Sequence, residues 1–442
     1  MTDATAVVAP HRIAVLSASS TSSSESSDVS SHAILFASAG SPSLCLLPLN
    51  GTSACIPLLE PASSSPVQEF TVSSSGRFVA ALCADKSIYL WEVPSVSLCR
   101  VDEWKLLFTK HASKRGTNLC FTEDETHLMV SESAGDVTCW TTVAPYHSAD
   151  LLLGHCAAAT AICATHDNSH VITADRYGKI RVSEFPRGFN ITAFCLGHED
   201  FITDLLTPAS HPQTLVSFSL DGTLRVWQFA EGVCTQTLTV QEQKNEKREE
   251  QEQEEEEDQA TKGEDAEGDE EEEEDNVNSR CSSAVTEPVL AAYSSRLDLL
   301  AVSVRGTGRL DLYSIGEHSL ELVQQLDTSM RSHVAACFDA QGGLWVSGRL
   351  SSSPSRSAAT TATETLGGEV ALRLFTRQQD AQEKREGACR FVPSTQLSAE
   401  LSDRFQSSLP AVSSSEVRKL ERLADRHCSL RFHTELDGSS SE

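Results

Sequence analysis

Short apolar runs recur along the chain, many alternating with polar residues, and turns rich in Asp, Gly and Ser separate them. That period of two predicts β-strands. Four runs share a fuller pattern, a turn with Asp or Gly followed by an alternating strand that ends in Trp or a substitute. They are Ala84 to Trp91, Gly135 to Trp140, Asp175 to Glu184 and Asp221 to Trp227. Their ends are spaced by 49, 44 and 43 residues, which suits one four-stranded unit each, since four short strands and their turns need about forty residues. Leu153-Gly154-His155 and Leu196-Gly197-His198 each put their His 29 residues before Glu184 and Trp227 respectively. Together these repeats predict an all-β fold, a WD-repeat β-propeller.

Weaker copies bring the count to about seven four-stranded blades. Ala33 to Ser38 and Leu44 to Leu49 read as the first blade, Leu297 to Val302 with Leu310 to Tyr313 as the sixth. Val334 to Phe338, Leu344 to Val346 and Val370 to Phe375 read as the seventh. A strand from Arg12 to Leu16 is expected to pair with the last blade and close the ring, which would remove exposed sheet edges. The propeller is expected to occupy residues 1–376. Residues 377–442 read as a polar tail with one short helix, Glu416 to Ala424, from the Leu420/Leu423 spacing.

Charge changes this picture at one place. The formal net charge is −28, but residues 241–275 hold twenty Asp and Glu against four Lys and Arg, more than half of the excess. With almost no apolar residues to offset the entropy of ordering, residues 241–280 are expected to be a disordered acidic insertion between blades five and six. No apolar run is long enough to span a bilayer, and Met1 to Leu16 lacks the layout of a secretory signal, so an intracellular protein is expected. The fourteen cysteines form no C-x-x-C pair; they read as small buried residues in a reducing compartment, and no metal site is expected.

Candidate chemistry is sparse. His198, Ser217, Asp221 and Trp227 of the fifth blade are expected to form a buried hydrogen-bond chain, with His155 in the matching place one blade earlier. That set is structural, because a Ser-His-Asp triad needs an exposed nucleophile. No Gly-rich phosphate loop, H-E-x-x-H or G-x-S-x-G motif is present, and no catalytic residue is assigned.

The stretches Leu152 to His155, Val171 to Ser183 and Phe194 to Phe201 resemble the central blades of the non-catalytic WD-repeat subunit of eukaryotic tRNA (guanine-N7-)-methyltransferase. The fourth blade ends T-A-D-R-x-x-K-I-R-V-S instead of near W-D, a departure that this family shares. Lys114 to Phe121, Ser133 to Val137, Gly222 to Trp227 and Gly343 to Val346 support the match, although Gly116 and Asn118 depart from the family's preferences. The resemblance implies a heterodimer with a catalytic subunit that binds S-adenosylmethionine, while this chain holds no cofactor, stabilises that subunit and helps position tRNA, in the nucleus. It assigns Asp175, Arg176, Lys179 and Arg181 to partner binding, since Arg and Lys at a blade turn can pair with carboxylates or phosphates. Lys114, Arg115, Arg418 and Lys419 are further candidates for tRNA or partner contact. The acidic insertion is expected to point away from the tRNA. Two other readings stay open on the residues alone: a generic scaffold or ubiquitin-ligase substrate receptor, and an acidic histone or ribosome-assembly chaperone.

Overall fold

A computed structural model of the chain describes residues 5–7, 10–17, 32–38, 44–49, 56–57, 65–94, 101–146, 150–240, 288–304, 307–330, 335–349, 370–379, 389–394, 405 and 411–413. Among them are seven four-stranded antiparallel sheets, each made of consecutive strands. Blade one runs from Pro10–Ser17 to Ile56–Pro57, blade two from Val67–Val72 to Lys105–His111, and blade three from Gly116–Phe121 to Asp150–Gly154. Blade four runs from Ala159–Ala164 to Ile191–Cys195, blade five from Ile202–Leu206 to Val233–Thr239, blade six from Pro288–Ser294 to Leu320–Asp327, and blade seven from Ala335–Phe338 to Cys389–Pro393. The first strand of each blade packs beside the first strands of its neighbours, and Pro10–Ser17 beside Ala335–Phe338 completes the circle.

The hydropathy pattern follows from position in a blade. Second strands such as Phe78–Cys83 and Thr214–Ser219 are buried along their whole length, because both faces of the blade meet a neighbour there. Outer strands have one wet face, and Val233–Thr239 alternates between exposed and half-buried residues accordingly. The apolar core is therefore divided, with one cluster filling each gap between adjacent blades. Met129, Val137 and Leu153 meet Ile162 and Val171 between blades three and four. Ile172, Ile180 and Val182 meet Leu215, Trp227 and Phe229 between blades four and five. Each fully buried side chain of this size contributes about 1.5–3 kcal/mol.

The glycines of the repeat turns are fixed by close approach. Gly135 has φ +100°, and a Cβ there would lie 2.4 Å from the Ala157 carbonyl. The turn between the second and third strands of blade three is thus pressed on the segment that enters blade four.

Three expectations are corrected or bounded. Residues Arg12 to Leu16 do not join the last blade; they lie in the innermost strand of blade one, with Arg12 opposite Ala37 and Leu16 opposite Ala33. Blade one needs that strand to shield His32–Ser38, so the ring closes by side-chain packing, supplemented by Thr5–Val7 pairing antiparallel with Ala411–Ser413. The propeller also runs past residue 376: Val370–Gln379 is the third strand of blade seven and Cys389–Pro393 its fourth. The charged residues around Cys389–Pro393 conceal that strand in the sequence. The acidic insertion 241–280, and the helix expected at Glu416 to Ala424 with Arg418 and Lys419, lie outside the described residues.

Candidate functional site

Blade five contains the expected chain. Trp227 Nε1 donates to Ser217 Oγ at 2.8 Å, Ser217 Oγ lies 2.7 Å from His198 Nε2, and His198 Nδ1 lies 2.7 Å from Asp221 Oδ2. Proton counting gives one consistent assignment. The Asp221 carboxylate can only accept, so it takes Nδ1–H; in a neutral imidazole Nε2 is then an acceptor, and Ser217 Oγ donates to it while accepting from the indole. Burial alone would raise the Asp221 carboxyl, but hydrogen bonds from His198, from the Thr223 hydroxyl and from the Glu199 backbone outweigh it and hold it well below the usual range. His198 is 7% exposed and Ser217 is fully buried, so the set joins strands together and presents no nucleophile.

Blade four repeats the plan with different parts. His155 Nε2 lies 2.7 Å from Thr173 Oγ1, while Asp175 Oδ2 stands 3.7 Å from His155 Nδ1, beyond hydrogen-bond range. Asp175 Oδ1 accepts instead from the backbone N–H groups of Tyr177 and Lys179 at 2.9 and 3.2 Å. At the place of the Trp227 indole is Ser183, opposite Val171 as Trp227 is opposite Leu215. Its Oγ accepts from Arg181 Nε at 2.9 Å. The same guanidinium donates to the carbonyls of Gly154 at 3.0 Å and Gly188 at 2.6 Å. Arg181 thus staples the outer edge of blade three to the third turn of blade four.

This unusual blade lies inside a recognised domain. Residues 140–347 match the tRNA methyltransferase TRM82 WD40 domain. The resemblance read from the D-R-x-x-K-I-R edge is borne out. Among curated proteins the chain is 38% identical over 173 residues to the tRNA (guanine-N(7)-)-methyltransferase non-catalytic subunit wdr4 of Danio rerio, a stretch covering 39% of this chain and 40% of the relative. It is 33% identical over 182 residues to the non-catalytic subunit wuho of Drosophila melanogaster, covering 41% and 42%. In these matches the chain spans well under two thirds of the relatives' length. A chain in a solved structure, "Crystal Structure of Mitotic Checkpoint Complex", aligns with a TM-score of 0.53 at 12% identity, over 77% of this chain and 92% of that one; this likeness concerns the fold alone.

Within the matched region the four residues assigned to partner binding separate into two groups. Asp175 is 5% exposed, and its carboxylate caps the turn, so its assignment to a partner surface is corrected: the strand register places it opposite Ala159, pointing inward. Arg181 is half-buried, and its three hydrogen bonds are internal, which makes it a staple. Lys179 is exposed, and its ammonium has no partner among the described residues. Arg176 lies with its guanidinium carbon 5.4 Å from the centre of the Tyr177 ring, and Tyr177 is 64% exposed. Arg176, Tyr177 and Lys179 therefore form a cationic and aromatic tip on the rim where outer strands lead into the next blade. Lys114 and Arg115 occupy the same rim on the segment entering blade three. Lys114 is exposed and its backbone N–H is held by Glu132 Oε2 at 2.8 Å; Arg115 is half-buried.

One group escapes the sequence reading. Phe189, Ile191, Phe194 and Leu196, at the outer edge of blade four, are all exposed. Apolar residues in both phases of Ile191 to Leu196 are the sequence signal that both faces of this strand carry apolar side chains.

Proposed function

We infer that this chain is a non-catalytic subunit of a tRNA (guanine-N7-)-methyltransferase complex, which stabilises the catalytic subunit and helps position tRNA for N7-methylguanosine formation in the variable loop. The observation that carries this reading is the blade-four tip: Lys179 without an internal partner, beside Arg176 and Tyr177, in a domain of the TRM82 type. Cations held on a rigid turn lose little entropy when they meet carboxylates or phosphates. S-adenosylmethionine belongs to the partner in this scheme, and the complex works in the nucleus.

The test is to purify the full chain with the catalytic subunit and to measure N7-methylguanosine in tRNA by mass spectrometry, in the original cell with and without this protein. Undiminished modification on its removal defeats the reading. Reversal of Arg176 and Lys179 together to Glu is expected to weaken assembly about tenfold or more, the scale seen for charge pairs at protein interfaces, while the melting temperature of the free chain changes little. Arg181 is unsuitable for that experiment because its loss disturbs blade four directly.

A further inference from the structure

Blades five and six are joined in sequence by residues 241–287, which lie outside the described residues, yet the two blades are tied to each other directly. Ala209 N–H donates to Tyr293 Oη at 3.0 Å, and Thr214 Oγ1 donates to the Glu317 carbonyl at 2.6 Å. Gln228 Nε2 donates to the same carbonyl at 3.1 Å and to His318 Nδ1 at 2.8 Å. Thr235 Oγ1 donates to the His318 carbonyl at 2.9 Å. Gln236 engages both backbone groups of one residue: its Oε1 accepts from the Leu320 N–H at 2.7 Å, and its Nε2 donates to the Leu320 carbonyl at 3.3 Å. These partners stand 83 to 103 positions apart in the chain.

Behind these bonds Val216, Phe218 and Val226 of blade five meet Leu300, Val302 and Tyr313 of blade six. The glutamine device recurs one blade later. Gln324 is opposite Leu312 as Gln236 is opposite Val226, and it accepts from the Phe391 N–H at 2.8 Å and donates to the Phe391 carbonyl at 2.9 Å in blade seven. An outer strand leaves backbone groups unpaired at the sheet edge, and a primary amide, with one donor and one acceptor end, matches a single N–H and C=O pair. The Gln324 clasp joins blades six and seven, whereas the Gln236 clasp spans the long connection. Residues 5–240 and 288–413 meet a second time between blades one and seven, through Phe36 against Phe405 and through Thr5–Val7 paired with Ala411–Ser413.

We propose that blades one to five and blades six and seven are two halves that hold each other without the connection, locked by Gln228 and Gln236, so that the ring stays closed when the chain is cut within 241–287. The halves share two apolar seams, as in obligate interfaces that resemble a core divided in two. A cut removes the effective concentration that a connection supplies, and a long connection supplies less of it than a short one. The glutamine amides fix the register of the seam, because a slip would leave the Leu320 N–H and carbonyl without these partners. The acidic connection is thereby free to be bound, modified or cut without opening the propeller. This inference is independent of the proposed function.

The experiment uses the full chain with a recognition sequence for a site-specific protease placed next to Ala260, cut after purification. Size-exclusion chromatography with light scattering at about 1 μM is expected to return one particle with the mass of the whole chain. Gln228→Ala with Gln236→Ala removes four hydrogen bonds across the seam and is expected to weaken association of the cut halves about a hundredfold. Gln324→Ala removes the same clasp inside one half and is expected to stay within about twofold. Thr235→Val, which removes one bond and keeps the shape of the side chain, is expected to weaken association about fivefold and reads the seam even if the double variant does not fold. Separation or unfolding of the cut wild type at this concentration overturns the proposal. So does a Gln228/Gln236 or Thr235 variant whose cut halves hold as firmly as the wild type's. An equal loss in Gln324→Ala would make the effect one of general stability, and would overturn it as well.

Discussion

At position 183 the chain has a hydroxyl where blade five has the Trp227 indole, and the consequences spread through neighbouring residues. The indole donates to Ser217; in blade four Ser183 is instead an acceptor for Arg181, whose guanidinium also donates to two backbone carbonyls. Arg181→Ala is expected to cost about 2–4 kcal/mol, from three lost hydrogen bonds to a charged group and two carbonyls left without their donor, measurable by urea denaturation. A cost below about 0.5 kcal/mol would show the staple to be idle. The blade-five set carries a pH signature instead. Asp221 titrates lower in the fold than its unfolded value of about 3.9, so its stabilising contribution is complete above roughly pH 5 and disappears as pH falls through the unfolded value toward the folded one. The melting temperature of the wild type should therefore fall more steeply from pH 5 to pH 3 than that of Asp221→Asn, and the gap between them should narrow. Parallel curves would reject the assignment. His198, Ser217, Asp221 and Trp227 were legible in the sequence because repeat spacing fixes all four. The fate of Asp175 and Arg181 was not, because it depends on a carbonyl of another blade and on which way a bulged strand turns its side chains.

At the scale of the element, blade four shows how a turn is made to hold charges outward. The turn 175–178 closes with Gly178 at φ +72°, and a Cβ there would stand 2.6 Å from the His198 carbonyl. Any side chain would meet backbone on one side and left-handed strain on the other, a combined cost on the order of 1–3 kcal/mol. Gly178→Ala is thus expected to lower stability by that amount and to displace the Arg176–Lys179 tip. Its affinity for the proposed catalytic partner should drop even though no charge is removed, which a binding titration beside a thermal melt can check. Unchanged affinity with lowered stability would mean that the tip's position is unimportant. Strand positions were predictable wherever a turn and a terminal Trp framed them. Cys389–Pro393, which pairs with Val370–Gln379, was hidden because Arg390 and its charged surroundings break the alternation. The apolar outer face of Ile191–Cys195 was hidden for a different reason: a segment apolar in both phases does not show which of its side chains is left uncovered.

Over the whole molecule, the ring must be locked where its ends meet, and the lock comes from residues far apart in sequence. Between blades one and seven, Ile13, Ile34 and Leu47 face Cys337, Trp345 and Leu372, with fully buried Phe405 among them. The Phe405 ring stands edge-on to Phe36, with centroids 5.3 Å apart. Beyond it, Ala411–Ser413 pairs with Thr5–Val7 and ties the two ends of the described chain. Here Pro10–Ser17 belongs to blade one, so the junction depends on packing together with that short two-stranded ladder. Removing a buried Phe costs about 3–5 kcal/mol, and the loss should be local before it is global. Phe405→Ala is accordingly expected to accelerate amide exchange first in Pro10–Ser17 and Ala335–Phe338, while blades three to five, and with them the blade-four tip, keep their protection at the same denaturant concentration. Uniform acceleration around the ring would mean that the seven blades open as one unit and that Phe405 contributes to all of them equally.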